Sequence, residues 1–176
     1  MFREVYELDE LYWYVERKAD TETRENVYVI TMVSREPRQI VGYDVARDKS
    51  SRRIQSIINS APAAYRYHTD GYVVYADVEY PGCHIRNARD RSDTYIVEGV
   101  NADLRHYIPV LARRSRCFCR SIDTLQAVIS VFVDAYTTSN YKRPKQPISM
   151  RNGHDAARVT EQGEDRIAES VHYLIE

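Results

Sequence analysis

The sequence predicts an α/β domain built on a mixed five-stranded sheet, three antiparallel strands followed by two more, flanked by helices. Three observations lead there. Up to Val45 the chain runs in three blocks of alternating or β-branched apolar residues; from Ser50 to Arg86 helical and short extended pieces take turns; and from Thr94 onward apolar residues recur at helical spacing. With 176 residues, 43% hydrophobic and 29% charged, and only six glycines and six prolines, one compact domain with its own core is expected.

Val5 to Glu16 alternates apolar and polar residues and is rich in Tyr, Trp and Val, the pattern of a long strand with Asp9 in its middle. Val27 to Val33 is a continuous apolar run, Ser34 to Arg38 carries turn chemistry including Pro37, and Gln39 to Val45 forms a third strand, so these pieces make an antiparallel meander. Ser50 or Ser51 can cap a helix that turns Ile54, Ile57 and Ile58 to the sheet and ends near Pro62. Ala64 to His68 reads as a short buried strand closed by the Asp70-Gly71 turn, with a short helical or irregular piece from Tyr72. After the Pro81-Gly82 turn, Cys83 to Arg86 is a weak fifth strand. Thr94 to Leu111 is amphipathic through Val97, Val100, Leu104, Tyr107 and Leu111, with Asp93 or Thr94 as cap and Pro109 disturbing its last turn. Ser121 caps a final helix with Ile122, Leu125, Val128, Ile129, Phe132 and Tyr136 on one face. The division expected is 1–140 for the domain and 141–176 for a linker and C-terminal extension, in which Ile167, Val171, Leu174 and Ile175 fit a docked helix.

Charge and cysteine usage narrow the function classes. Net charge is −1, from 25 basic and 26 acidic side chains, which does not announce a nucleic-acid binder. Its distribution says more: Leu104 to Ser121 carries Arg105, Arg113, Arg114, Arg116 and Arg120 and no carboxylate, a possible cationic stripe for DNA phosphates. The 15 tyrosines suit strands, and beside arginines they can also stack on bases. Cys83, Cys117 and Cys119 are odd in number and lack CxxC spacing, so reduced thiols are expected rather than a disulfide framework or a zinc knuckle. Cys83-His84 has no second pair to complete a tetrahedral site. No signal peptide or apolar run of membrane-spanning length is present, and a cytoplasmic, nucleoid-associated protein is expected.

Three strands, a helix, a fourth strand and then helices is the element order of an RNase H-like domain. In that fold, acidic residues sit on the first strand, after the fourth strand and on a later helix. Asp9, Asp70 and Glu98 occupy those places. Carboxylates suit Mg²⁺ or Mn²⁺, hard cations that prefer oxygen, and two such ions can activate an attacking oxygen and stabilise a leaving one at phosphorus. Each residue has a plainer explanation: Asp9 as a strand charge, Asp70 as an ordinary turn residue, Glu98 as a first-turn acid favoured by the helix dipole. Glu98, Asn101, Ala102 and Arg105 share one helical stripe, which presents a carboxylate, an amide and a guanidinium together, either to a phosphodiester or as a solvated polar network. His68, two residues before Asp70, is expected to be a locally satisfied strand histidine.

The blocks Glu7-Leu8-Asp9-Glu10, Thr69-Asp70-Gly71, Tyr95 to Arg105 and Leu111 to Ser121 resemble, in order, the insertion-sequence-one family of bacterial and archaeal transposases; the last two blocks are the most specific. The resemblance spans roughly the first four-fifths of the chain. It implies a DDE catalytic domain in which Asp9, Asp70 and Glu98 bind two Mg²⁺ or Mn²⁺ ions, cut transposon ends with water and join the freed 3′-hydroxyl to target DNA. Asn101 and Arg105 would orient DNA, with Arg113, Arg114, Arg116 and Arg120 on its backbone. A homo-oligomer that synapses two ends is also implied. The family's zinc-binding and helix-turn-helix region has no counterpart ahead of Asp9, so end recognition is expected to need a separately encoded partner unless the chain is a fragment or a domesticated relative. The position after the helix glutamate, basic in the family, is Gly99, which removes a phosphate partner and weakens the helix by up to about 1 kcal/mol relative to Ala. A non-catalytic DNA-binding or protein-interaction module, and a plain nuclease or resolvase, are the alternatives.

Overall fold

The computed structural model describes residues 4–15, 25–87, 93–112 and 119–141. The chain is an α/β structure around a mixed five-stranded sheet. Its strands are β1 (Val5–Val15), β2 (Glu25–Ser34), β3 (Gln39–Ala46), β4 (Arg66–Thr69) and β5 (Cys83–Arg86); its helices are α1 (Ser51–Ser60), α2 (Tyr95–Tyr107) and α3 (Ile122–Tyr141). Spatial order is β3-β2-β1-β4-β5. The first three strands form an antiparallel meander with an irregularity between Met32 and Val33, whereas β4 runs parallel to β1 and β5 parallel to β4.

Alternation along β1 divides the core in two, except at Tyr14, whose ring stacks on Trp13. Leu11, Trp13 and Val15 face α2 and α3, packing with Val97, Val100, Leu104, Leu125, Ile129 and Phe132. Tyr6 and Leu8 face the opposite way, against Ile54, Ile57 and Ile58 of α1 and the 3-10 helix Val73–Asp77, whose Tyr75 is fully buried. The three isoleucines thus meet the sheet as their spacing predicts. Gly42 permits this close approach, because a Cβ there would lie 2.7 Å from Ile57.

Besides Ser50, which stands at the start of α1 without a side-chain cap bond, the structure departs from the sequence expectation in three places. β4 runs from Arg66 to Thr69 rather than from Ala64 to His68, which makes Asp70 the first residue beyond the strand. The helix expected to reach Leu111 stops at Tyr107: Ile108, the residue before Pro109, is extended at φ −102° and ψ 100°, as the proline ring requires of its predecessor, and Pro109–Leu111 forms a 3-10 turn. Leu111 stays buried from that turn.

The third departure is the cap of α2. Thr94 makes no side-chain cap bond there. The cap comes from 89 residues upstream: Glu7 Oε2 accepts the backbone N–H groups of Ile96 (2.8 Å) and Val97 (2.9 Å). Its other oxygen takes Arg35 Nε at 2.6 Å, so the wholly buried carboxylate is paired and hydrogen-bonded. Ser121, by contrast, caps α3 as expected, its hydroxyl accepting the Thr124 N–H at 3.1 Å.

Cys83 and Cys119 are free thiols, and burial pushes Cys119 up to about 11, so it is inert. Among the described residues no helix is long and apolar enough to cross a membrane. The expected linker, the C-terminal helix around Ile167 to Ile175, Cys117, and Arg113, Arg114 and Arg116 all lie outside the described residues.

Candidate metal centre

Parallel pairing sets Val5 beside Arg66 and Glu7 beside His68. Two residues further on, the same register brings Asp70 beside Asp9, at the point where β4 has ended and the edge of β1 is open. There Asp9, Glu10 and Asp70 each offer a carboxylate oxygen, and the three atoms lie within 4.8 Å of one another. Consecutive residues of a strand point to opposite faces. The group therefore wraps the exposed edge of β1, with Asp9 on the α2 side and Glu10 on the α1 side.

Each carboxylate is held differently. Asp9 Oδ2 accepts from Asn101 Nδ2 at 2.9 Å, and Asn101 Oδ1 in turn accepts from Thr31 Oγ1 at 3.0 Å. Asp70 Oδ1 accepts the backbone N–H of Tyr72 at 2.8 Å, an Asx turn that fixes its orientation. The Glu10 side chain is only 5% exposed, with Lys49 Nζ at 3.8 Å from its Oε2. Glu10 Oε1 and the Tyr75 hydroxyl are buried beside each other, short of a well-formed hydrogen bond, and neither has another partner among the described residues.

These surroundings disfavour negative charge. Burial, first, and then the Asp9 and Asp70 carboxylates raise Glu10 to about 7 against the pull of Lys49 and the Tyr75 hydroxyl. Burial also raises Asp9, opposed by its bonds to the Glu10 backbone and Asn101 and assisted by Asp70 and Glu98. Tyr75 is raised too, by its own burial and by the three acids around it. Mutual repulsion among close carboxylates with an orphaned oxygen is relieved by a divalent cation, and an all-oxygen donor set suits Mg²⁺, Mn²⁺ or Ca²⁺. The group could hold a metal ion.

Of the three acids expected to converge, the structure brings Asp9 and Asp70 together, with Glu10 as their third member. Glu98 is exposed in the first turn of α2, one helical turn before Asn101, and reaches Asp9 through its charge rather than within the 4.8 Å group. Asn101, 4% exposed, orients Asp9 from inside the protein. Arg105 continues the same stripe, half-buried, and Arg120 is exposed just ahead of α3. Gly99 lies under Arg38: a Cβ would come within 2.7 Å of its guanidinium, which is paired with Asp103 at 3.2 Å.

Sequence reasoning missed Glu10, Lys49 and Tyr75. Glu10 had one visible signal, an acid on the Tyr6, Leu8 face of an apolar strand, where a carboxylate is costly without a partner. His68 is buried beside Glu7 with neither ring nitrogen hydrogen-bonded among the described residues. Burial and Arg35 lower its basicity against the pull of Asp93, whose carboxylate lies 3.7 Å from Nδ1. His84 shares a hydrogen bond with Thr69 at 2.8 Å.

No protein-family model matches the chain, and no curated protein sequence matches it significantly.

Proposed function

We propose that this chain is an RNase H-like, divalent-metal-dependent enzyme that hydrolyses and transfers phosphodiester strands of DNA, as a DDE transposase does. The observation that carries the reading is the convergence of Asp9, Glu10 and Asp70 at an open strand edge, one of them buried with an unsatisfied oxygen. A sheet ordered β3-β2-β1-β4-β5, with the acids on the first strand and just after the fourth, supports the fold assignment. The sequence likeness to insertion-sequence-one transposases supports the narrower activity.

Asp9, Glu10 and Asp70 would hold the metal, with Glu98 one turn up α2 as a further carboxylate for a second ion. When bound, the metal supplies Lewis-acid activation of the attacking water or 3′-hydroxyl and charge stabilisation at phosphorus. Asn101 keeps the Asp9 carboxylate turned to the group, and Glu7 holds α2 at the sheet so that Asn101 can do so. The Asx turn of Asp70 fixes the third ligand. Arg105 and Arg120, with Arg113, Arg114 and Arg116, would hold the DNA backbone, and a homo-oligomer fits such chemistry.

Asp70→Asn keeps the oxygen that Tyr72 bonds but removes the charge. The variant should fold normally, lose Mg²⁺ uptake in calorimetry and lose Mn²⁺- or Mg²⁺-dependent nicking of plasmid DNA. Wild-type nicking by Asp70→Asn sinks the assignment. Joining of a pre-cut 3′-hydroxyl end to a second DNA separates a transposase from a plain nuclease. The Lys49–Glu10 contact, an internal cation at the group, favours a second reading as a non-catalytic DNA-binding or protein-interaction module, which predicts no Mg²⁺ uptake at all.

A further inference from the structure

On the α1 side of the sheet, adjoining the acidic group, three tyrosines and a lysine form a patch that metal binding does not use. Tyr12 and Tyr28 are direct cross-strand partners, with rings 5.7 Å apart at 62°. Tyr12 lies on the same face as Glu10, two residues and roughly 7 Å further along β1. Its hydroxyl donates to Asn26 Oδ1 at 2.7 Å, yet the residue remains 51% exposed. Lys49 Nζ sits 3.7 Å from the Tyr72 ring centroid and 5.5 Å from that of Tyr28 while reaching Glu10 at 3.8 Å. Tyr72 is itself tied to Asp70 through its backbone N–H. Lys49 is therefore ion-paired with one proposed metal ligand, Tyr72 is bonded through its backbone N–H to another, and Tyr12 shares a strand face with Glu10.

We propose that this patch is a single-strand subsite, in which Tyr12 stacks one unpaired base and Lys49 holds the phosphate next to it, beside the acidic group. The proposal rests on the nucleic-acid reading above and adds the form of the substrate. An exposed ring already held by a hydrogen bond and an edge contact loses little freedom on stacking. In a duplex each base face is covered by its neighbours, so a protein ring there meets only base edges, sugar and phosphate; an unpaired strand offers the face itself. The ammonium over Tyr72 supplies the positive charge that a phosphate needs near three carboxylates.

The test measures, with the full chain in EDTA, anisotropy of a labelled single-stranded oligonucleotide and of the duplex of the same sequence. Single strand should bind more tightly. Tyr12→Leu should weaken single-strand binding about tenfold, within the range of one base–aromatic stack, and leave duplex binding unchanged, while Tyr12→Phe, which keeps the ring and its edge contact but loses the bond to Asn26, should lose far less than Tyr12→Leu. Lys49→Gln should reduce the salt slope for single strand by about 0.7, the share of one phosphate contact. Equal affinity for the two DNAs, or equal losses on both in Tyr12→Leu, overturns the proposal. Asp70→Asn should retain the single-strand preference. If Mg²⁺ uptake and nicking are absent while the Tyr12-dependent preference persists, the phosphodiester reading alone fails; nicking without that preference sinks only the subsite.

Discussion

Glu10 makes the metal-free protein weaker as pH rises, and removing its charge should abolish that dependence. Its carboxyl moves from an ordinary 4.5 to about 7 in the fold, so the folded state binds a proton that the unfolded chain releases. An acid raised in this way contributes least where it must be ionised: stability falls as pH climbs from about 4.5 to about 7 and then levels off. The span corresponds to up to about 3 kcal/mol at 1.36 kcal/mol for each factor of ten in proton affinity. Glu10→Gln keeps the shape without the charge. In EDTA at pH 8 it should therefore be more stable than wild type by up to about 3 kcal/mol, and at pH 5 nearly equal to it. Mg²⁺ should stabilise wild type at pH 8 and leave Glu10→Gln unmoved. Urea denaturation at both pH values, with and without Mg²⁺, measures all of this. A variant less stable than wild type at pH 8 in EDTA would refute the claim that this buried carboxylate is held at an energetic cost for a ligand's sake.

Four further outcomes follow from the same geometry. Metal affinity should drop steeply as pH falls below about 7, because the cation must displace the Glu10 proton, and calorimetry in buffers of different ionisation enthalpy should show protons released on binding at pH 6.5. Asn101→Ala removes a bond that lowers Asp9, so the Asp9 carboxyl should rise further and the pH midpoint for Mg²⁺ uptake should move upward with it. Glu7→Ala strips two backbone N–H groups and Arg35 of their acceptor, and urea denaturation should show a loss of about 3 to 5 kcal/mol, the usual cost of breaking a buried pair. Gly82→Ala would set a Cβ 2.3 Å from the Ala64 carbonyl oxygen, so thermal melting should show a loss of about 1 to 3 kcal/mol, whereas Gly99→Ala meets only the movable end of Arg38 and should be neutral or gain up to about 1 kcal/mol from helix propensity.

The strands and helices were legible because each rests on a local pattern: alternation in β1, β-branched runs in β2 and β3, isoleucines at helical spacing in α1, a serine cap ahead of α3. The end of α2 was misread because the apolar period continues through Leu111, and the proline's hold on Ile108 overrides it. Asp9 and Asp70 could be read as partners because one lies in a strand and the other just beyond a parallel neighbour. Glu98 satisfied the same positional logic. Its distance from the group depends on how far along the sheet α2 sits, and that is set by Glu7 and Asn101, contacts across 89 and 92 residues.

By itself, then, the sequence determined which segments are strands, which are helices and which face of each is apolar, since period and chain chirality act over a few residues. Tertiary structure alone decided which acids share a site. Where β4 stops against β1 is a long-range matter, and only at that open edge do Asp9 and Glu10, pointing to opposite faces, come within reach of the same cation.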